Sequence, residues 1–307
     1  MVDNKTNSNV QPFIVKNGFN TCYIDSLLMA LFAAKSTNDF LLNKDVEVEA
    51  IYLQEFIKIN FVDKVRNNLS VDEEMINNIR LLCIENGWKS ESLDEMYEQQ
   101  DVSEFYSFLL NRLSGNLIEI KRSTISEGLT HKDDKGSIER IPFIPLSIPP
   151  GRDYFTVKEL INRWMFDNPT ELERLVPTTD GQEIKNIMGL NTYNIVNHPN
   201  IMAISINRFA NINERNNCSI IIQKKINFVI NSSLFNNPVW AFHAAICHVG
   251  DNIKSGHYYS LIQNNDGNFY IFDDQKIPCL YHVDMSDPST TRLIKKDVVF
   301  IIYKYFS

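Results

Sequence analysis

The chain passes from polar to apolar across Lys16-Asn17-Gly18-Phe19-Asn20-Thr21-Cys22-Tyr23-Ile24-Asp25-Ser26, which is followed directly by Leu27-Leu28-Met29-Ala30-Leu31-Phe32. The apolar residues recur at helical spacing, and Asn20 and Thr21 are residue types that cap helices, so a helix is predicted to start near Cys22. The positive end of a helix stabilises a thiolate and lowers the pKa of a thiol, which is the setting of a nucleophilic cysteine. The alternative is that Cys22 is a small buried apolar residue at a helix start.

Composition places the chain among globular proteins. It has 307 residues, of which 44% are hydrophobic and 22% charged, so it is long enough to bury a core without metal or disulfide staples. A net charge of -8 argues against general nucleic-acid binding and suits a basic partner. The five cysteines are an odd, scattered set, which indicates a reducing compartment. No secretory signal and no run of about 20 apolar residues is found, so we expect a cytosolic protein away from membranes.

The first part of the chain is predicted to be mostly helical, up to about residue 115. Residues 1–12 are polar and are expected to form a frayed tail. A broken helical period covers 45–68, and Ser70-Val71-Asp72-Glu73 fits a capping box that opens the next helix. Another helix is predicted over 101–113, where Phe105, Leu109 and Leu113 are in step.

The second half of the sequence favours strands. Ile141 to Leu146 contains two prolines and is predicted to be an edge strand, and a short helix is predicted from Lys158 to Phe166. Further strands are predicted at 201–209, 219–230, 239–248, 258–263, 269–273 and 298–305. Helices followed by an antiparallel sheet predict an α+β fold with two lobes and a cleft between them.

A nucleophilic cysteine needs a base, and the candidates are the six histidines His131, His198, His243, His248, His257 and His282. His257 stands out because Gly256 permits close backbone approach and the residues after it are predicted to form a strand. A hairpin turning at 264–268 would return Asp273 to the side of His257, where a carboxylate would fix the tautomer that faces Cys22. The alternative is a loop histidine and a solvated Asp273-Asp274 turn.

Three motifs in this order resemble the ubiquitin-specific proteases, which are papain-like cysteine deubiquitinases. Their cysteine box, Asn-x-Gly-Asn-Thr-Cys-Tyr-x-Asn-Ser, is similar to residues 17–26. Their Gln-Gln-Asp-x-x-Glu-Phe motif matches residues 99–105, and their Gly-His-Tyr and Tyr-x-Phe-Asp/Asn-Asp motifs match residues 256–258 and 270–274. Weaker similarities occur at 143–149, 204–209 and 301–304.

The resemblance implies a hand-like α+β fold, with a helical thumb at about 15–115 and a palm with short fingers at about 116–307, so that 13–307 form a single catalytic domain. It implies that Cys22 attacks the carbonyl of the last ubiquitin glycine and that His257 protonates the leaving lysine amine. Asp273 would orient His257, with Asp274 as a substitute or second polar partner, and the amide of Asn17 would stabilise the oxyanion.

The resemblance also implies which residues bind the substrate. Asp101 and Glu104 match acidic positions that meet the basic ubiquitin tail, although a helix cap and a solvated acid are the alternative interpretation. Tyr258 and His248 match positions that line the tail channel, and His248 could equally be an ordinary strand residue.

Departures from the family pattern are found in the cysteine box and at the fingertips. Gly18 and Phe19 are exchanged relative to the pattern, so the loop that carries Asn17 is expected to be set differently, and Met29 replaces a glutamine. Asp25 replaces an asparagine; a carboxylate there opposes thiolate formation, and we expect it to face outward. The chain has no Cys-x-x-Cys pair, so no structural zinc and no cofactor are expected.

The sequence therefore predicts a cytosolic, monomeric thiol hydrolase that removes ubiquitin from lysine in ubiquitinated proteins. Two alternatives stay open: a protease for another ubiquitin-like modifier, and a catalytically weak scaffold that binds ubiquitin. The compact build and the frequent asparagines suggest the further hypothesis of a viral or microbial protein acting in a host cytosol.

Overall fold

The computed structural model describes residues 13–88, 97–126, 129–130, 138–179, 181–211, 214–228, 238–252 and 255–306. The predicted tail at 1–12 lies outside these residues. Helices come first and strands later, and the predicted α+β class is confirmed. None of the helices in the described part of the chain is long and apolar enough to span a membrane.

The helical part starts at the predicted place, with α1 beginning at Cys22. The helices in this part are α1 Cys22–Phe32, a 3₁₀ helix Thr37–Leu42, α2 Val48–Phe56, α3 Asp63–Arg66, α4 Glu73–Glu85 and α5 Val102–Arg112. The broken period predicted over 45–68 is explained by a π-helical segment, Ile57–Val62, that joins α2 to α3. All the residues of α1 are buried, so this helix runs through the core.

The predicted capping box at the start of α4 is wrong in its details. Asp72 is the N-cap residue, and its carboxylate accepts a hydrogen bond of 2.9 Å from the backbone N–H of Met75. Ser70 is used elsewhere, since its hydroxyl accepts from the N–H of Ile14 while Val71 forms a parallel bridge with Val15. An extended backbone at 70–71 moves the start of the helix past Ser70.

The strands are numbered along the chain. The first of them are β1 Ile118–Ser126, β2 Leu129–Thr130, β3 Ile138–Ile141, β4 Ile144–Ser147, β5 Tyr154–Thr156, β6 Asn168–Thr178, β7 Gly181–Ile195 and β8 Ile201–Asn207. The others are β9 Phe209–Asn211, β10 Glu214–Arg215, β11 Ser219–Ile221, β12 Lys225–Asn227, β13 Val239–Asn252, β14 Ser255–Gln263, β15 Phe269–Phe272, β16 Leu280–Val283 and β17 Val298–Phe306. Two further helices are α6 Val157–Phe166 and α7 Pro288–Asp297.

The largest sheet positions the site. Its order is β16-β15-β14-β13-β17-β8-β4, with β12 paired to β13, and its pairs are antiparallel except β4 with β8. β4 lies at the edge, as the prolines predicted. The single strand predicted over Ile141 to Leu146 is wrong, however, because β3 ends at Ile141 in another sheet and β4 begins at Ile144. A second sheet of β1, β2, β3, β6 and β7 contains a long hairpin of β6 and β7, which was not predicted.

Two apolar cores hold the elements together. One packs α1, α4 and α5 against one face of the large sheet, with Leu27, Phe105 and Phe272 fully buried. The other lies on the opposite face of the sheet, under α6 and α7, and includes Trp240 and Tyr303. Because α1 packs against both β13 and β14, the N-terminus of the helix is held next to the strand that carries His257.

Arg208 joins the ends of several elements from inside the protein. Its buried guanidinium donates to the carbonyls of Val298 at 2.7 Å, Cys218 at 2.8 Å, Lys295 at 2.9 Å and Asn216 at 3.1 Å. Buried backbone carbonyl groups need hydrogen-bond donors, and the single side chain of Arg208 supplies donors to carbonyl groups in and near α7, β11 and β17.

Replacing Arg208 is therefore expected to destabilise the fold strongly. In Arg208→Met four carbonyls lose their donor, and we expect a loss of about 3 kcal/mol or more in the free energy of unfolding. Urea denaturation measures this loss. The matched control is Arg140→Met, whose exposed guanidinium forms only a surface ion pair of 3.0 Å with Glu119 and should matter little. Equal effects of the two substitutions would contradict the bridging role of Arg208.

Candidate active site

Cys22 is the first residue of α1 and is almost fully buried. Its burial raises the pKa of the thiol to about 12, although hydrogen bonds from the backbone N–H groups of Tyr258 and Tyr23 act in the opposite direction. The expectation that the helix start lowers the thiol pKa is thus wrong for this unliganded state, because desolvation outweighs the helix end. At neutral pH the sulfur is a thiol.

His257 lies on β14, next to the residue whose N–H contacts Cys22. Its Nε2 atom is 2.9 Å from Oδ1 of Asp273 and 3.5 Å from Oδ1 of Asp274. Its Nδ1 atom is buried and has no hydrogen-bond partner in the part of the chain that the structure describes. An acceptor at Nε2 favours the tautomer with the proton on Nε2, which leaves the Nδ1 lone pair available as a base.

The predicted hairpin brings Asp273 to His257. Strands β14 and β15 pair antiparallel, and the turn between them is closed by hydrogen bonds between Asn264 and Asn268. The carboxylate of Asp273 also accepts from the N–H of Gln275 at 3.1 Å. Burial raises the pKa of Asp273, but the hydrogen bonds from His257 and Gln275 outweigh it, and the pKa lies below its usual value. Asp273 is therefore an anion that can orient the imidazole and stabilise its charged form.

Asn17 and Asp274 form a second pair beside the imidazole. The amide Nδ2 of Asn17 donates to Oδ2 of Asp274 at 2.6 Å, and its Oδ1 accepts from the backbone N–H of Thr21 at 3.3 Å. One of the two amide hydrogens is used in this contact, and the other donates no hydrogen bond within the part of the chain that the structure describes. The side chain of Asp274 is fully buried, and burial raises its pKa.

The exchange of Gly18 and Phe19 produces a particular loop before Cys22. Phe19 and Asn20 have φ angles of 63° and 56°, which are uncommon for residues other than glycine. Contacts hold them there, since Arg80 donates to the carbonyl of Phe19 and the amide of Asn20 donates to the carbonyl of Tyr97 at 3.0 Å. Gly18 faces inward, where a Cβ atom would come within 2.7 Å of Oδ1 of Asn77.

The structure contradicts the expectation that Asp25 faces outward. Its side chain is fully buried, and its Oδ2 atom is 3.0 Å from the hydroxyl of Thr21. Burial and the nearby Asp274 raise the pKa of Asp25 well above its usual value. The periodicity of α1 could not show this, because all faces of the helix are covered.

The four residues predicted to bind substrate line one cleft of about 280 Å³, namely Asp101, Glu104, His248 and Tyr258. Asp101 is the N-cap of α5, as the alternative interpretation predicted, and its Oδ1 accepts from the N–H groups of Ser103 and Glu104. Glu104 is exposed in the first turn of the helix. The carboxyl groups of Asp101 and Glu104 therefore both belong to the lining of this cleft.

His248 and Tyr258 form the wall of the same cleft, with ring centroids 4.7 Å apart. His248 is buried, which lowers the pKa of its imidazole to about 4, and Nε2 lies 3.0 Å from the amide of Gln99. The hydroxyl of Tyr258 accepts from the N–H of Val102. Gly256 has a φ of 147° and leaves no room for a Cβ atom, which would come within 2.6 Å of Nε2 of His248.

Two further residues of the site were not predicted from the sequence. Gln99 is the first residue of the Gln-Gln-Asp motif, so a signal for it was present. Arg80 is buried in the middle of α4, where the helical period gives no hint of a polar role. Of the other candidate bases, His131 lies outside the described residues and His243 is buried. His198 stacks on Tyr305, and His282 makes an edge-to-face contact with Tyr270.

The buried thiol generates a prediction about pH. Because its pKa is about 12, the thiolate fraction of Cys22 should grow about tenfold per pH unit across the range from 7 to 9. We expect the rate of alkylation of the unliganded protein by chloroacetamide to rise accordingly without a plateau. Cys22→Ser supplies the background from the other cysteines. A plateau below pH 8 would show that an ion pair with His257 already exists before substrate binds.

The chain is similar to known proteins in its sequence pattern and in its fold. The family model described as ubiquitin carboxyl-terminal hydrolase matches residues 15–289. No curated protein matches the sequence. The solved structures described next are 12–13% identical to this chain, and at that identity their similarity shows the fold alone.

Three similar solved structures are of the SAGA DUB module. The Ubp8/Sgf11/Sus1/Sgf73 module bound to monoubiquitin has a TM-score of 0.68 at 12% identity, over 97% of this chain and 69% of that chain. The module bound to ubiquitin aldehyde has a TM-score of 0.68 at 13% identity, over 97% and 70%. A yeast module with an Sgf73 mutant has a TM-score of 0.66 at 12% identity, over 97% and 69%.

The family match covers most of the described residues, including Cys22, His257 and Asp273. The chain belongs to the ubiquitin carboxyl-terminal hydrolase family and is a cysteine-type deubiquitinase.

Proposed function

We propose that the chain hydrolyses the isopeptide bond between the C-terminal glycine of ubiquitin and a lysine, with Cys22 as nucleophile, His257 as base and acid, and Asp273 as the orienting carboxylate. The observation that carries this proposal is the contact of 2.9 Å between His257 and Asp273, beside a thiol that accepts the N–H of Tyr258. Two of the similar structures are described as bound to monoubiquitin and to ubiquitin aldehyde, which supports ubiquitin as the ligand.

The reaction would begin with proton transfer from the thiol to Nδ1 of His257 as the sulfur attacks the glycine carbonyl. Since the resting sulfur is protonated, attack and proton transfer are coupled. The imidazolium then gives its proton to the leaving lysine amine as the C–N bond breaks, and a thioester remains on Cys22. Water, deprotonated by His257, attacks the thioester and releases the ubiquitin carboxylate and the thiol.

The charge that develops on the carbonyl oxygen needs a donor. We propose Asn17 for this role, because one amide hydrogen is fixed by Asp274 at 2.6 Å and the other is available. Asp101 and Glu104 at the cleft edge would meet cationic side chains of the ubiquitin tail, and His248 and Tyr258 would line its path. An overall charge of -8 favours such a basic partner.

We also propose the cellular and domain setting. Residues 13–307 would form one catalytic domain, with a thumb at about 15–115 and a palm and fingers beyond it. All five cysteines are free thiols, which supports action in the reducing cytosol. The enzyme would act as a monomer, without a cofactor and without contact to nucleic acid or membrane.

Labelling by a ubiquitin probe with a C-terminal electrophile tests the function. We expect a covalent adduct with the wild type, no adduct with Cys22→Ala and an unchanged adduct with the control Cys218→Ala, because Cys218 lies in the other core. A panel of probes built on other ubiquitin-like modifiers tests the alternative substrate class. Absence of any adduct, or faster labelling by another modifier, would overturn the proposal.

The oxyanion role of Asn17 has its own test. In Asn17→Ala we expect kcat on a fluorogenic ubiquitin substrate to fall on the order of a hundredfold or more, with little change in KM, since the donor acts on the transition state. Asn111→Ala, an exposed asparagine of α5, is the control. A change confined to KM would assign Asn17 to substrate binding.

A further inference from the structure

Asp25 is unusual because an aspartate side chain is rarely buried completely. It is in the first turn of α1, three residues after Cys22, and its side chain is fully buried. The side chain of Asp274, in the loop after β15, is equally buried. The two carboxyl groups lie within reach of each other, and Oδ1 of each is buried without a hydrogen-bond partner among the described residues.

Two carboxylates cannot form this contact. A hydrogen bond between two carboxyl groups needs a proton on one of them. Two neighbouring carboxylates that are both buried would repel each other strongly. Arg80 does not compensate, because its guanidinium attracts Asp25 only through space while its Nη2 atom donates to the carbonyl of Phe19. The pair therefore holds one proton.

The other partners decide which residue keeps the proton. Asp274 accepts a short hydrogen bond of 2.6 Å from the amide of Asn17, so it is the better carboxylate. Nε2 of His257 lies 3.5 Å from Asp274, but its hydrogen is directed to Asp273. Asp25 has only the hydroxyl of Thr21, which already accepts from the N–H of Gly18 at 2.7 Å. Its Oδ1 atom is buried and has no donor among the described residues.

We propose that Asp25 is a positioning residue for the reaction: it is a neutral carboxylic acid in the folded enzyme at neutral pH, and its O–H donates a hydrogen bond to the carboxylate of Asp274. This inference deepens the proposed function, on which its catalytic part rests. Asparagine occupies this place in the motif that the sequence resembles, and a protonated carboxyl group, like an amide, can donate a hydrogen bond.

The proposal has two consequences for the site. Neutral Asp25 places no second negative charge near the sulfur of Cys22, and a charge there would raise the pKa of the thiol. Its hydrogen bond also fixes Asp274, which in turn fixes the amide of Asn17. The proton on Asp25 thus links the start of α1 to the oxyanion donor.

Other titratable groups surround the pair. Those that act on Asp25 or Asp274 electrostatically are Cys22 and Tyr23 of α1, Arg80 of α4, His257 of β14, and Asp273 and Cys279 of the loop between β15 and β16. Burial is the largest influence on both carboxyl groups and favours their neutral forms. Arg80 and the Thr21 hydroxyl oppose it at Asp25 but do not reverse it.

The pH dependence of stability tests the proton on Asp25 without using activity. In the unfolded chain Asp25 ionises above about pH 4, whereas in the folded protein it keeps its proton. The folded state then binds more protons, so its stability falls as pH rises through this range. Asparagine does not titrate, and we expect the advantage of Asp25→Asn over the wild type, as a ratio of folding constants, to grow about tenfold per pH unit between 5 and 7.

Urea denaturation at several pH values measures this ratio, with Asp45→Asn, an exposed aspartate, as a control whose ratio should stay constant. A constant ratio for Asp25→Asn would overturn the proposal, because it would mean that Asp25 is ionised in the fold. The infrared band of a buried carboxylic acid, present in the wild type and absent from Asp25→Asn, is expected at neutral pH.

Turnover tests the positioning role separately. We expect Asp25→Ala to lose at least tenfold in kcat with KM nearly unchanged, and Asp25→Asn to restore most of this loss because it keeps a donor toward Asp274. Equal losses in both variants, with both folded by the urea measurement, would overturn the positioning role. If the wild type itself did not cleave ubiquitin substrates, the proposed function would fail while the stability result would still decide the state of Asp25.

Discussion

The packing of α1 against β14 is the constraint on which the site depends. The backbone N–H of Tyr258 donates to the sulfur at the start of α1, and the residue before it is His257. Nucleophile and base therefore come from distant parts of the sequence but from two elements that share one core. The same strand pairs with β15, whose end carries Asp273, so a single sheet register fixes the base and its orienting group. Any shift of α1 along β14 would separate the sulfur of Cys22 from the pair formed by His257 and Asp273.

The same packing sets the electrostatics. Covering every face of α1 removes water from Cys22 and Asp25, and desolvation favours the neutral form of each acid. In the resting site, two neutral acids, Cys22 and Asp25, thus lie beside two carboxylates. These are Asp273, whose partners outweigh its burial, and Asp274, which accepts from the amide of Asn17. Such a site holds little thiolate before substrate arrives. Reactivity is then confined to the complex in which a carbonyl group accepts the sulfur's electrons and His257 accepts its proton.

Much of this arrangement could be predicted from the sequence because local patterns encode it. The polar-to-apolar change at Cys22 gave the helix start, and the spacing from His257 to Asp273 gave the hairpin. The face of Asp25 could not be predicted, because periodicity identifies a buried face only when another face is exposed. The role of Arg80 could not be predicted for a related reason, because its hydrogen-bond partner belongs to a loop that is distant in sequence. The long β6–β7 hairpin has exposed residues along most of β7 and so lacks the apolar alternation by which strands are recognised.

The loop before Cys22 holds the side-chain amide of Asn17 in place even though Gly18 and Phe19 are exchanged relative to the family pattern. With glycine facing Asn77 and two residues at positive φ, the backbone reaches Thr21 by a strained path that Arg80 and Tyr97 stabilise. Asn17 is then held at both ends of its amide, by Thr21 and by Asp274. The second of these contacts requires that Asp274 be anchored on its other side, and Asp25 is the residue found there. The conformation of the loop before Cys22 and the buried side chain of Asp25 thus act together to orient the amide of Asn17.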